Sequence, residues 1–527
     1  MSSQPTTKIR VDSTKDLLAA RVLVLLTFTV LITRIAWLSD DALITLRTAL
    51  NLTHGWGPGF NATEAVQGYT HPLWFLMWTF IGVATNQWVL GILLASVALS
   101  TAAVGLVLWQ TQSIARILLV AGVLIFSNAF MEYSTSGLEN PLSYVFVALL
   151  FTLTLKPEPS ATWALASGAT LAGLFLTRMD LALLIAPVAL LTAWQLRTNI
   201  KIVAVTTIAA TVPIAAWFIW SKLTYSAWLP NTLTAKSNLD IGQSDLLVQG
   251  FKYFWVSIEH DPVTFLAILT AITTALIFGE KLLRVWALGI LIYLAYVWWV
   301  GGDFMAGRFL AVPLLVSAAI LITIAPEIKI RFNTALLAVL ALLTAATALG
   351  QIPVTLSNPT VQRWDVGTNL NGNVVDERAF YVQNNRDLNF LLNNVDSPMF
   401  NGEFAPVTAA DLQIRSLNEI NYLTQNWPTK TQPLATPDGV LTECGLLGTI
   451  GIAIGPTNHL IDSCALTDRF LAGIPFTPYP QGGWKPGHFE RVLPAGYQEA
   501  VASNDPSLLK DPATREQLTN LWQRIRP

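Results

Sequence analysis

Charged residues are scarce in this chain. Lys, Arg, Asp and Glu together make up 12% of its 527 residues, and hydrophobic residues make up 53%. Soluble domains carry about 25% charged residues, so we expect an integral membrane protein. Acidic and basic residues nearly balance, at a formal net charge of −2. No basic excess is available to bind a phosphate backbone, and we expect no nucleic-acid partner.

Cysteine is almost absent as well. The two cysteines, Cys444 and Cys464, both lie in the polar C-terminal third of the chain, and their spacing matches no zinc-binding signature. They either form a disulfide, which an exported compartment permits, or remain two buried thiols. We expect the disulfide, because the loop charges place this region outside the cytoplasm. An internal repeat and a long low-complexity tract are also lacking.

The chain also lacks a cleavable signal peptide pattern. Its polar start, residues 1–16, leads into an apolar stretch that is long enough to span a membrane and has no small-residue cleavage site. We expect this stretch to remain in the membrane as a signal anchor.

Long apolar runs are abundant instead. Runs of spanning length fall near residues 19–38, 88–110, 161–177, 201–220, 262–279, 283–299, 309–325 and 333–350. Shorter runs that we also interpret as spans fall near residues 115–130, 140–155 and 181–195. Another short run, residues 72–84, is ambiguous by length alone.

The charge of the loops resolves this ambiguity. The basic N-terminal tail is cytoplasmic by the positive-inside rule. If residues 72–84 crossed the membrane, Arg116 and the basic residues of the later loops would lie outside; otherwise they lie inside. A run of 13 residues is also short for a span and suits an interfacial or re-entrant helix. We therefore predict 11 spans, with the N-terminus inside and the C-terminus outside.

The charged residues of the membrane half concentrate in five segments that this topology places on the outer face. They are residues 39–74, 131–140, 178–180, 221–261 and 301–308. Charges at a membrane–water boundary are costly unless they are paired, bind a ligand or take part in catalysis. Several of these charges lie within a few residues of an apolar run, so we expect them to ring one cavity at the outer face.

The composition becomes polar near residue 351. We expect residues 1–352 to form a polytopic α-helical transmembrane domain that carries the catalytic site, and residues 353–527 to form an extracytoplasmic α/β domain. Strand-like and helix-like runs mix in the second region: Val440–Thr442, Thr449–Ile454 and His459–Ile461 resemble strands, whereas Arg386–Asn393 and Pro506–Arg526 resemble helices.

Two adjacent carboxylates, Asp40 and Asp41, start the first outer segment. One interpretation is structural: Ser39 caps a helix over residues 41–52, and both acids lie in its first turn, favoured by its dipole. The other is catalytic, with one aspartate as general base toward a hydroxyl and the other orienting it or holding Mg²⁺, Mn²⁺ or Ca²⁺. We favour the catalytic role because the pair lies where a span leaves the membrane.

Other polar residues of the outer segments are candidates for contacting a donor phosphate or a sugar. They are Arg47, His71, Glu139, Arg178, Asp180, Lys236, Asp303 and Arg308. The cations among them suit an anionic lipid headgroup. Structural alternatives exist for several: an interfacial arginine at Arg47, a helix start at Glu139, and an ion pair between Arg178 and Asp180. Neither His54 nor His71 has metal-ligand spacing to another His or Cys, which argues against zinc.

The assembled pattern resembles the GT-C class of membrane glycosyltransferases, which use polyprenyl-phosphate sugars on the outer face of the membrane. The resemblance covers nearly the whole chain. It rests on the first outer segment SDDALITLRTALNLTHGWGPGFNATEAVQGYTHPLW, and on STSGLEN, LTRMD, LPNTLTAK, GGDFMAGRFLAVPLL, GLLGTIGIAIGPTNHLIDSCALTD and KPGHFERVLPAGY. Within the class, the sequence is similar to the actinobacterial terminal arabinofuranosyltransferases and to related proteins labelled flagellar motor control protein ZomB.

This resemblance implies a fold of about 11 transmembrane helices, interfacial helices in the first outer loop, and a catalytic carboxylate at Asp40 or Asp41. It implies transfer of a sugar, arabinofuranose first, from decaprenylphosphoryl-arabinose to arabinogalactan or lipoarabinomannan at the plasma (inner) membrane. Expected partners are the polyprenyl-phosphate donor, the glycan acceptor and membrane lipid. Alternatives are a hexosyl transferase of the same class, a lipid-linked sugar transporter, and a non-catalytic envelope assembly factor.

The predicted topology can be tested with reporters. A reporter enzyme that is active only outside the cytoplasm, fused after residue 527, should be active, because 11 crossings place the two ends on opposite sides of the membrane. The same reporter fused after the predicted cytoplasmic loop at Arg197 is the control and should be silent. An inactive C-terminal fusion would overturn the count of 11 spans.

Overall fold

The computed structural model describes residues 13–324, 353–356, 373–394, 404, 416–432, 434–478 and 484–526. Helices make up most of the described membrane half. They are α1 (Thr14–Arg34), α2 (Asp40–Thr53), α3 (Pro72–Thr85), α4 (Trp88–Leu108), α5 (Ile114–Phe126), α6 (Asn128–Glu132), α7 (Asn140–Leu155), α8 (Ala161–Thr177), α9 (Ala182–Leu196), α10 (Ile200–Tyr225), α11 (Asn231–Ser237), α12 (Gln243–His260), α13 (Pro262–Phe278), α14 (Lys281–Trp299) and α15 (Ala311–Thr323).

Beyond residue 373 the described elements are short and mixed. They are α16 (Glu377–Gln383), α17 (Leu388–Asn393), α18 (Leu417–Gln425), β1 (Val440–Glu443), α19 (Leu447–Ile454), β2 (His459–Asp462), α20 (Arg469–Ala472), α21 (Tyr497–Ser503) and α22 (Pro512–Ile525). The strands β1 and β2 pair in parallel, with Val440 opposite His459. The division of the chain into two domains near residue 353 stays a prediction.

Helices occupy ten of the predicted spans. These helices are α1, α4, α5, α7, α8, α9, α10, α13, α14 and α15. The remaining predicted span, residues 333–350, lies outside the described residues. By length and composition, α1, α4, α10, α14 and the segment Met179–Leu196 can each cross a membrane alone. This is the pattern of a multi-pass membrane protein, while the count of 11 spans stays a prediction.

Two further apolar helices differ from simple spans. The short run at residues 72–84 forms α3, which has 14 residues and lies below the usual spanning length of about 17. Helix α12 meets α13 at an angle of 107°. The break lies at Asp261, whose side chain accepts a 3.1 Å hydrogen bond from the Thr264 amide, and at Pro262 in the first turn of α13. If α13 crosses the membrane, α12 runs along its surface.

Glycine allows some of the apolar helices to approach each other closely. A Cβ at Gly168 of α8 would lie 2.4 Å from the Thr206 carbonyl oxygen of α10. A Cβ at Gly289 of α14 would lie 2.1 Å from the Leu184 carbonyl oxygen of α9. Small residues at such crossings let backbones touch, which is how helices associate in lipid without a hydrophobic driving force.

Helix α2 begins as the sequence predicts. Ser39 is its N-cap, and the Ser39 hydroxyl accepts a hydrogen bond from the Ala42 amide at 3.3 Å. The Ser39 amide in turn donates to the Ser136 carbonyl at 3.0 Å. This start is therefore fixed between α1 and the segment that precedes α7, and it places Asp40 and Asp41 in the first turn.

One predicted strand is wrong. Residues Thr449–Ile454 belong to the helix α19, whose eight residues are all buried. This helix connects β1 to β2, and parallel strands need a crossover connection between them. A short continuous apolar run fits a buried strand and a buried helix equally well, so its periodicity could not separate the two. The strand predictions at Val440–Thr442 and His459–Ile461 are confirmed by β1 and β2.

Cys444 and Cys464 form a disulfide, with their Cα atoms 5.0 Å apart. Cys444 directly follows β1, and Cys464 follows β2 by two residues. The bond therefore links the carboxyl ends of the two paired strands and closes a loop that contains α19.

The disulfide predicts a specific thiol count. Since the chain has only these two cysteines, protein that is unfolded without reductant should react with no maleimide, and reduced protein with two per chain. The Cys444→Ser/Cys464→Ser variant should lose about 3 kcal/mol of stability, because a loop of this length is no longer closed in the unfolded state. Mass spectrometry and a thermal melt measure the two effects. Two free thiols in unreduced protein would contradict the bond.

Candidate active site

A cavity of about 260 Å³ lies where the first outer segment meets the C-terminal part of the chain. Its walls come from five separate stretches of the sequence. The lining residues are Asp40, Asp41, Phe304, Val375, Glu377, Phe380, Tyr381, Gly445, Leu446, Lys485 and His488. Carboxylates, a cation and aromatic rings therefore share one space, as expected for a site that binds a polar ligand.

Asp41 is the more available of the two adjacent aspartates. Its side chain keeps 30% of its surface exposed, and its Oδ2 lies 3.9 Å from Nη1 of Arg308. Burial in the cavity wall raises the pKa of Asp41 above its usual value, although Arg308 and Lys236 lower it. An accessible, weakly paired carboxylate with a raised pKa is suited to accept a proton.

Asp40 is turned toward the C-terminal part of the chain. Its two carboxylate oxygens accept hydrogen bonds from the amides of Gly448 and Thr449, both at 2.7 Å, and from the Thr449 hydroxyl. These amides lie in the first turn of α19, where a negative charge is favoured. Nη1 of Arg386 lies 4.0 Å away. Adjacent residues on a helix point about 100° apart, so one aspartate anchors α19 while the other faces the cavity.

Arg308 connects several carboxylates behind Asp41. Its guanidinium nitrogens lie 3.2 Å from Oε1 of Glu139, 3.7 Å from Oδ2 of Asp303 and 3.9 Å from Oδ2 of Asp41. The Arg308 side chain is 13% exposed, and those of Glu139 and Asp303 are 3% and 6% exposed. Burying so many charges is tolerable only because each acid has a cation close by.

Glu139 lies deeper in this network. Besides Arg308, its carboxylate lies 3.7 Å from Nε of Arg178 and 3.5 Å from Nδ1 of His71. Burial alone would raise the pKa of Glu139, but Arg308, His71 and Arg178 together lower it to about 2. Glu139 is therefore ionised at neutral pH. It also directly precedes α7, as the sequence predicts for a helix start with Pro141 in its first turn.

His71 is neutral in this environment. Burial, supported by Arg308 and Arg178, lowers the pKa of His71 to about 4 in spite of the nearby Glu139. Its Nε2 lies 2.7 Å from the hydroxyl of Thr45 in α2. His71 thus connects α2, α3 and α7 at the edge of the charge network.

The predicted ion pair between Arg178 and Asp180 is confirmed. The guanidinium of Arg178 reaches both carboxylate oxygens of Asp180, at 2.5 and 3.2 Å. The hydroxyl of Tyr293 in α14 lies 2.9 Å from Arg178 Nη2 and 2.8 Å from Asp180 Oδ2. This pair therefore connects the α8–α9 junction to α14. It extends the network of charged residues from Glu139 to Tyr293.

Arg47 lies outside the site, contrary to the prediction that it contacts a phosphate. Its guanidinium donates to the backbone carbonyls of Phe60 at 2.7 Å, Asn458 at 3.0 Å and Gly451. The side chain is fully buried, so it connects α2 to α19 and its neighbouring loop. Arg47 lies six residues after Asp41, on another face of α2, and for that reason cannot reach the cavity.

Lys236 lies at the edge of the cavity. The residue is exposed, and Gly487 shows where its amino group lies. A Cβ atom at Gly487 would be 3.5 Å from Nζ of Lys236 and 3.3 Å from the ring of Phe304. Lys485 is close by, with Nζ 4.4 Å from the centroid of Phe304. Two lysines therefore flank the aromatic ring at the cavity edge.

Several cavity residues were missed by sequence reasoning. They are Glu377, Tyr381, Lys485 and His488. All four belong to the polar C-terminal region, where their spacing forms no known motif. A signal was nevertheless present, because KPGHFERVLPAGY, which contains Lys485 and His488, is one of the stretches that carry the family resemblance.

The predicted metal role of the aspartate pair finds no support in the donor set. In the part of the chain that the structure describes, no group of three or more His, Cys, Asp or Glu side chains is arranged to hold a metal ion. Both oxygens of Asp40 already accept hydrogen bonds from α19. Metal binding by the aspartate pair stays a prediction.

The fold matches that of a solved glycosyltransferase. ArnT from Cupriavidus metallidurans, in a structure bound to undecaprenyl phosphate, aligns with a TM-score of 0.50 over 88% of both chains at 13% sequence identity. ArnT is a GT-C enzyme. The chain thus shares the fold of ArnT, and the resemblance to the GT-C class that its sequence predicts is confirmed at the level of the fold.

The sequence is also similar to two curated proteins that share one name. The chain is 28% identical over 412 residues to the terminal β-(1→2)-arabinofuranosyltransferase of Corynebacterium glutamicum. This alignment covers 67% of the chain and 56% of the relative. It is 27% identical over 219 residues to the enzyme of the same name from Mycobacterium tuberculosis, covering 38% of this chain and 35% of that protein. The matches thus span about half of the first relative and a third of the second. No family model matches the chain.

The different environments of the two aspartates predict different effects on stability. Asp40→Ala leaves two buried amides of α19 without an acceptor, and should lower the free energy of unfolding by about 3 kcal/mol. Asp41→Ala is the matched control and should melt close to the wild type, because Asp41 is partly exposed and makes one long ion pair. Thermal melts of both variants in the same detergent measure the difference. Equal melting temperatures would refute the anchoring role of Asp40.

Proposed function

We propose that this chain is a glycosyltransferase that moves a sugar from a polyprenyl phosphate to a cell-wall glycan at the outer face of the plasma membrane. Arabinofuranose is the sugar that the names of the curated relatives favour. The lipid in the ArnT structure favours a polyprenyl-phosphate donor. The observation that carries the proposal is the accessible carboxylate of Asp41 in a cavity bordered by cations.

In the proposed reaction, an acceptor hydroxyl oxygen forms a bond to the anomeric carbon of the donor sugar. The bond between that carbon and the phosphate oxygen breaks, and its electron pair leaves with the polyprenyl phosphate. The proton of the acceptor hydroxyl passes to the carboxylate of Asp41. General-base assistance of this kind contributes about 10²–10⁴ to a rate. The raised pKa of Asp41 strengthens it as the proton acceptor.

Cations are needed where the phosphate leaves, because negative charge builds up there in a poorly solvated site. Lys485 lines the cavity and Lys236 lies close by, and neither forms a close ion pair with a carboxylate among the described residues. Arg308 approaches from the side of Asp41. We assign these three to the donor phosphate. Arg178 is engaged with Asp180 and Glu139, and we assign it, with His71, Asp303 and Glu139, to holding Arg308 and α2 in place.

Asp40 is a positioning residue in this proposal. Its hydrogen bonds to α19 fix the start of α2 against the C-terminal part of the chain, and so fix the direction in which Asp41 points. We propose residues 1–352 as the membrane domain that binds the donor, and residues 353–527 as an extracytoplasmic domain that contacts arabinogalactan or lipoarabinomannan. The N-terminus is then cytoplasmic.

A transfer assay tests the proposal. Purified protein is given a synthetic polyprenyl-phosphate arabinofuranose and an arabinofuranose oligosaccharide, with the mannose-charged lipid as a second donor. Asp41→Asn should lower kcat about 100-fold or more, with little change in KM, because it loses the base and keeps the shape. Asp40→Asn, the control, should retain more activity. Wild-type rates from Asp41→Asn, or full complementation of a deletion strain by it, would refute the catalytic role.

A further inference from the structure

The cavity is lined by a third carboxyl group, that of Glu377, besides those of Asp40 and Asp41. The residue is 6% exposed and lines the same cavity as Asp41. Among the described residues, its carboxyl group makes no hydrogen bond or ion pair. A ligand that fills the cavity would therefore meet a carboxyl group that has no hydrogen-bond partner in the described part of the protein.

The position of Glu377 is fixed from two sides. On one side, the Val375 amide donates to the Phe304 carbonyl at 2.7 Å and the Ala306 amide donates to Val375 at 3.0 Å. On the other side, the Leu38 amide donates to the Arg386 carbonyl at 3.1 Å. The segment that carries Glu377 thus pairs with the loop of Arg308 and with the residues just before Asp40. The backbone that carries Glu377 is therefore held in place beside the cavity.

The chemistry around Glu377 favours hydroxyl groups over phosphate. Burial, together with the nearby Asp41, Asp40 and Asp303, raises the pKa of Glu377 to about 8, although Lys485 acts to lower it. The group is therefore largely neutral at pH 7 and can both donate and accept a hydrogen bond, as an alcohol does. The ring of Phe380 lines the same cavity and offers an apolar surface for a sugar ring.

We propose that Glu377 binds a hydroxyl group of the acceptor sugar and thereby selects which neighbouring hydroxyl faces Asp41. This assignment rests on the proposed glycosyltransferase function, and makes Glu377 a specificity residue of the acceptor subsite. Lys236 and Lys485 would serve the donor phosphate at the cavity edge, while Glu377 serves the acceptor inside. The acceptor subsite would thus be formed by the C-terminal part of the chain and the donor side largely by the membrane half.

Binding of an arabinofuranose oligosaccharide, without donor, to full-length protein in detergent tests the assignment. Glu377→Ala should weaken binding about tenfold, because one hydrogen bond to a buried group is lost. Glu377→Gln should remain within about threefold of the wild type, because an amide also donates and accepts. Glu499→Gln, an exposed acid on α21, is the matched control and should leave binding unchanged.

Kinetics supply the second readout. With saturating donor, Glu377→Ala should raise the acceptor KM about tenfold and leave the donor KM unchanged. Glu377→Asp, which withdraws the carboxyl group by one methylene, replaces the alanine variant if that variant does not fold, and should also weaken acceptor binding.

The outcomes separate the two proposals. If wild type binds the oligosaccharide and Glu377→Ala does not, the assignment stands even when no transfer is detected, and only the proposed reaction fails. If wild type does not bind the oligosaccharide, or binds it no better than Glu377→Ala, the assignment of Glu377 is wrong. A changed donor KM with an unchanged acceptor KM would also overturn it.

Discussion

The carboxylate of Asp40 is the interaction on which the site depends. It accepts hydrogen bonds from two backbone amides and one hydroxyl group at the start of α19, which lies more than 400 residues later in the chain. Arg47 adds a second link from α2 to the same region. Because both links are buried, they are strong enough to fix one half of the chain against the other. The cavity lies at this junction, so its shape depends on the junction being closed.

A second constraint is the balance of charge behind the cavity. Arg308 lies near three acids, and Arg178 near two. Glu139 contacts both arginines and keeps them together in a poorly solvated region. Asp41 is the acid at the exposed end of this chain of contacts. Its weak hold on Arg308 leaves it able to change partner when a substrate enters, whereas the buried acids are fixed by their cations.

The sequence was informative where the physics is local. Ser39 capping and the starts of α2 at Asp40 and of α7 at Asn140 follow from residue type, and apolar length marked ten of the helices. The topology predicted from the charges of the loops placed five residues of the network together at the outer face of the membrane: Asp41, Glu139, Arg178, Asp303 and Arg308. The failures involve contacts across long sequence distances. Nothing near Arg47 reveals the carbonyls of Gly451 and Asn458, and nothing near Glu377 reveals Asp41. The apolar run of α19 fitted strand and helix alike.

The assembly of the cavity from distant segments has a consequence for biosynthesis. Asp41 is made within the first tenth of the chain, but Glu377, Lys485 and the α19 amides follow only in its last third. A nascent chain therefore contains the carboxylate of Asp41 before the other walls of the cavity have been made. The cavity would therefore form only once the segments that carry Glu377, α19 and Lys485 have folded onto the start of α2.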